Sequence, residues 1–192
     1  MSSNAVVFSN NSIKRNVCSS GNNLSCGGGV TLYIEGGAVI NNTISENTAS
    51  SAGGVKVEFS GSDETRQSAV IANNLLWSNS ATDAQGDDLW IDNDPDGDFL
   101  PVPLTLLNNN FDRSSPEGFR TTVPITIDPS NLDRVDPLFV DAANDDVRLL
   151  PGSPMIDAGT AFGIVLPELD LEGKPRLLGN SVEIGAYEYD DG

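Results

Sequence analysis

Four carboxylates crowd the run Asp92-Asn93-Asp94-Pro95-Asp96-Gly97-Asp98, at alternate positions, with a glycine that permits a sharp turn. That spacing presents oxygens around a hard cation, so Asp92, Asp94, Asp96 and Asp98 form a candidate calcium loop. Position twelve of the frame is Pro103 and no helical pattern flanks it, so the loop is not an EF-hand. The competing reading is a solvated acidic turn. A second group lies on alternating strands: Tyr33, Lys56, Glu58 and Trp90. Two aromatic rings, an ammonium and a carboxylate on one face suit a carbohydrate, with rings against sugar faces and charges on hydroxyls or uronates. The plainer alternative is an ordinary solvated sheet face. Lys56 and Glu58 are also candidate catalytic groups, although no base-and-metal constellation adjoins them.

What the chain lacks narrows the chemistry further. Histidine is absent, which removes Ser-His-Asp and Cys-His catalysis and imidazole metal sites. Ten basic residues stand against 28 acidic ones, a net charge of −18, which opposes binding to nucleic acid. No apolar run is long enough for a transmembrane span. Cys18 and Cys26 enclose a short polar loop, where either a local disulfide or two inert thiols would fit.

The elements that must position these residues come from a repeat. Asn-Asn recurs at 10–11, 41–42, 73–74 and 108–109, each pair preceded by apolar residues and followed, after one residue, by Ile13, Ile44, Leu76 or Phe111. Asn16, Asn47 and Asn79 follow in three copies. Between pairs stands a glycine cluster and an alternating strand: GGGVTLYI from Gly27, GGVKVEF from Gly53 and GDDLWI from Gly86. No such unit buries its apolar side alone, but stacked units do. The expected inward rows are Val30/Val55/Leu89, Leu32/Val57/Ile91 and Phe8/Val39/Ile71/Leu106. The outward rows are Thr31/Lys56/Trp90 and Tyr33/Glu58/Asp92, unless a one-residue slip at Asp87-Asp88 turns Trp90 inward. The asparagines fit as side-chain ladders in the turns, or serve only to shape those turns through their tolerance of left-handed backbone. The fold expected is all-β, a right-handed parallel β-helix of three to four coils plus a C-terminal cap.

The phrases GGVKVEF and AVINNTISENTA resemble the repeats of the pectate-lyase-like β-helix superfamily. DPLFVDAANDDVRLLPGSPMIDAGT and LDLEGKPRLLGNSVEIGAYEY resemble the C-terminal region of bacterial choice-of-anchor Q surface proteins. That resemblance implies an exported, cell-surface chain, here read as the C-terminal part of a longer protein without signal peptide or sorting tail. It implies a non-catalytic display or glycan-binding module. The alternative is the C-terminal fragment of a polysaccharide lyase or glycoside hydrolase whose site lies mainly on upstream coils.

All eleven prolines fall at or after Pro95. Proline cannot donate to a ladder, so coils are expected over 1–112 and an irregular cap packed on the last coil over 113–192. Arg176 is expected to pair with Glu183 or Glu188 at the surface and hold the tail down. The first coil, around Val6 to Phe8, is expected to be an uncapped edge open to self-association.

Overall fold

The computed structural model describes residues 5–19, 27–59, 67–83, 86–93, 103–115, 117–161, 163–190 and 192. A partial first turn is made by β1 (Val6–Ser9) and β2 (Ser12–Lys14). Full coils follow. The first holds β3 (Val30–Ile34), β4 (Gly37–Ile40), β5 (Thr43–Ser45) and β6 (Thr48–Ala49). The second holds β7 (Val55–Phe59), β8 (Ala69–Ala72), β9 (Leu75–Trp77) and β10 (Ser80–Ala81). The third holds β11 (Leu89–Asn93), β12 (Leu104–Leu107) and β13 (Asn110–Phe111), and the fourth β14 (Phe119–Thr121), β15 (Thr126–Ile127) and β16 (Leu132–Asp133).

Strands of like position stack in parallel. The sheets run β1-β4-β8-β12-β15, β2-β5-β9-β13-β16 and β3-β7-β11-β14, with β6 beside β10. This is a parallel β-helix. All three expected inward rows hold, each residue paired with the next in its row: Val30–Val55–Leu89, Leu32–Val57–Ile91 and Phe8–Val39–Ile71–Leu106. Val57, Ile91, Leu106, Ile44 and Phe111 are fully enclosed in one continuous core. Phe119 adds an edge-to-face ring contact with Phe111 at 5.4 Å.

The asparagine ladders also form. Asn11, Asn42, Asn74 and Asn109 each donate both the backbone N–H and Nδ2 to Oδ1 of the next, ending on Asn131, at 2.8–3.2 Å. Asn16, Asn47 and Asn79 make a second ladder. Its last amide donates to the buried carboxylate of Asp88 at 2.9 Å. The glycines before β3 and β7 have a packing cause, whereas the equivalent position before β11 is Asp88. A Cβ on Gly54 would stand 2.4 Å from the carbonyl oxygen of Asp88, so only glycine lets the coils approach.

Two features differ from the sequence reading. The parallel ladders run on past residue 112, because the prolines of this region sit between strands: Pro103 just before β12, Pro124 before β15 and Pro129 before β16. The segment after Val135 contains the antiparallel pair β17 (Phe139–Asp141) and β18 (Asp146–Leu149), joined by a short 3-10 turn. It does not close over the last coil alone. It lies along the flank of the stack and reaches back to the first turn, where Arg15 pairs with Asp145 at 3.1 Å. The reason is that Leu75 and Leu132 project outward from the flank and need cover, which Met155, Ile184 and Leu149 supply.

The first asparagine of each pair holds this strap. Asn10, Asn41, Asn73 and Asn108 all adopt left-handed backbone, φ 48–57°, which turns their side chains outward. Asn108 donates to the carbonyl of Ala158, Asn73 exchanges two bonds with Thr160, Asn41 donates to Glu183 and Asn10 to Leu169. The two asparagines of a pair therefore divide the work: the second stacks coils, the first grips the strap. Among the described residues, no helix is long and apolar enough to cross a membrane.

Candidate functional site

The sheet β3-β7-β11-β14 carries the residues singled out for binding. Because its inward rows are fixed by the core, the alternate side chains must face outward, and no register slip occurs at Asp87-Asp88. Trp90 pairs with Lys56, which pairs with Thr31, and Glu58 stands between Tyr33 and Asp92. The structure extends the first row by one residue that sequence reasoning missed. Arg120 lies beside Trp90 on β14. The signal was concealed because residues after 112 were assigned to a cap.

The row forms a charged stack around one ring. Lys56 Nζ lies 4.9 Å from the Trp90 ring centroid and the Arg120 guanidinium 5.3 Å from it, on neighbouring coils to either side. Lys56 also donates to Glu58 Oε2 at 2.7 Å. Both cations thus meet the electron-rich ring face. Trp90 is only 9% exposed and Lys56 6%, although both leave the sheet on its outer side. The indole Nε1 has no hydrogen-bond partner among the described residues. Tyr33, by contrast, is 64% exposed, and Arg120 is exposed as well.

This geometry sorts the candidates. Lys56 is gripped by the Glu58 carboxylate and the Trp90 ring face. The faces of Trp90 are covered by cations, so the ring open to a ligand is that of Tyr33. Asp92 ends the outer row and accepts a hydrogen bond from the Thr122 hydroxyl. Asp94, Asp96 and Asp98 lie outside the described residues, so of the acidic loop the structure places Asp92 alone. Cys18 is disulfide-bonded, and Cys26 lies outside the described residues.

A second polar centre lies under the strap. Arg176 Nη1 meets Glu188 Oε1 at 2.8 Å with both side chains buried. The pairing was expected, but at the surface; burial changes its weight. Arg176 also donates to the carbonyls of Gly185 and Ala186 and to Asn10 Oδ1. Asp170 accepts the amides of Glu172, Lys174 and Glu188 and so shapes the turn that carries Arg176.

Burial pushes the Glu188 carboxyl up to about 7, against the pull of Arg176, and pushes Asp88 up as well. Folding therefore favours the protonated forms. The stability Glu188 contributes is full below its ordinary value near 4 and is lost as pH rises through about 7, and the contribution of Asp88 is likewise lost with rising pH. Asp128, Asp146 and Asp157 are held low by hydrogen bonds from Ser130, Arg148 and Ser181, and their contribution disappears as pH falls below about 4. Denaturant midpoints should accordingly peak near pH 5 and be lower at pH 8. A profile flat from pH 5 to 8 would contradict the assignment.

No family model, no curated protein and no solved structure matches the chain.

Proposed function

We propose that this chain is an extracellular, non-catalytic β-helix module that displays the β3-β7-β11 face for binding a cell-surface or polysaccharide glycan. The observation that supports it is the exposed ring of Tyr33 beside Glu58, on a flat ladder flanked by the exposed guanidinium of Arg120. An open aromatic ring next to fixed charges accommodates a sugar face and its hydroxyls together. The resemblance of the strands to pectate-lyase-like repeats, and of the strap to choice-of-anchor Q proteins, agrees with export and surface display. Calcium at Asp92, Asp94, Asp96 and Asp98 belongs to the same proposal. Asp92, at the end of β11, offers one carboxylate toward such an ion.

Retention on immobilised neutral and uronate-rich polysaccharides, with calcium and with chelator, tests the reading. Retention without new reducing or unsaturated chain ends is expected, and Tyr33→Ala should weaken it about three- to tenfold. Trp90→Ala is a poor probe, since removing a buried ring disturbs the stack itself. Cleavage that disappears in Lys56→Ala would overturn the proposal in favour of a lyase or hydrolase.

A further inference from the structure

We infer that the N-terminal end of the stack is a docking surface for one further parallel β-helix coil, whose turn asparagines donate to Asn11 and Asn16. The inference is independent of what the β3-β7-β11 face binds.

The first support is the open edge. β1, β2 and β3 are the outermost strands of their three sheets. Phe8, Ile13, Val30 and Leu32 are only partly buried, whereas the residues stacked on them one coil later, Val39, Ile44, Val55 and Val57, are enclosed. Val7 is 65% exposed. The same rows are also less covered at their far end, where Phe119 is partly buried and Ile127 is 38% exposed, so exposure alone does not distinguish the two ends.

The second support is ladder polarity, and it selects the occupant. At each step the lower-numbered asparagine donates and the higher-numbered one accepts. Asn11 and Asn16 donate onward to Asn42 and Asn47, and their own Oδ1 atoms receive no donor among the described residues. A coil stacked in the same direction, with asparagine amides at the same turns, supplies that missing step. At the opposite end the ladder's donors are already spent. Asn131 gives its backbone N–H and Nδ2 to the carbonyl of Asp128, 3.1 and 2.7 Å away, and Nδ2 also to Leu106.

Charge agrees. Residues 1–34 contain no carboxylate in a chain with 28 of them, so nothing at this end repels a coil of the acidic type found elsewhere in the stack. A second copy fits less well. Its N-terminal end would set acceptor against acceptor, and its C-terminal end has spent its donors. This narrows the expectation of self-association to a rival outcome.

Register defines the probe. Val6, Gly37 and Ala69 occupy equivalent positions. A second copy of segment 37–68, placed directly ahead of Val6 in exchange for residues 1–5, would enter as an in-phase coil. Hydrogen exchange of the β1 and β2 amides, read beside sedimentation of the chain with and without the addition, forms the test. The outer-edge amides should gain about tenfold or more in protection in the extended monomer. The gain should shrink when the added coil carries alanine at its two ladder asparagines. Unchanged exchange in the extended chain, whether or not the addition folds, would overturn the inference. So would a dimer of the unextended chain in which those amides are already protected, since a second copy would then hold the face.

Discussion

Arg176→Met is expected to destabilise the protein by about 3–5 kcal/mol, the usual cost of leaving one member of a buried ion pair without its partner. The guanidinium joins four acceptors: Glu188, the carbonyls of Gly185 and Ala186, and Asn10 on the first turn of the stack. Methionine fills similar volume and returns none of those bonds. Two companion measurements separate the charge from the packing. The double variant R176M/E188L should recover much of the loss, because an apolar pair of similar size is often as stable as the buried ion pair it replaces. The single variant should also be less damaging at pH 5 than at pH 8, since Glu188 takes up a proton near 7 and then needs no counter-charge. Equal losses at both pH values, with no recovery in the double variant, would show that shape and not charge holds Arg176.

Asn74→Ala carries the second large effect, about 2–4 kcal/mol in chemical denaturation. Asn74 sits mid-ladder and fully buried. Its amide nitrogen donates to Asn109 and to the carbonyls of Val39 and Ala72, and its oxygen accepts from both donors of Asn42. Alanine leaves several of these buried groups unpaired, each worth roughly 1–3 kcal/mol, with partial relaxation inside the turn. Asn11→Ala makes the same deletion at the open end, where water reaches the freed groups, and should cost less than half as much. If the two variants cost the same, the ladder contributes turn shape and not buried hydrogen bonding.

These residues also mark how far the sequence was legible. The stacking rows were readable because a period of two and a glycine-asparagine punctuation repeat in phase, so Val57 over Leu32 or Trp90 over Lys56 follows from alignment alone. The ladder was readable for the same reason. The division between the paired asparagines was not, because backbone handedness at Asn41 and Asn73 is invisible in a one-letter repeat. Arg120 is hidden in the sequence because a run of prolines suggests an end to the coils, when proline equally suits the turns between them. The burial of Lys56 and Trp90 was missed because alternation says which way a side chain leaves the sheet and nothing about what covers it. The strap was the hardest part. Its contacts join residues far apart in sequence, such as Asn10 with Leu169, and no periodicity announces them.

That strap changes how the molecule should come apart. Coils stacked in a line touch only their neighbours, so an unstrapped solenoid can fray from an end, one unit at a time, with broad melting. Here one segment is bonded to the turns of Asn108, Asn73, Asn41 and Asn10 in succession. Losing the outermost coil then also loosens the strand that braces all the others. The array is thereby converted from a zipper into a single cooperative unit, whose weakest turn is insured by its strongest.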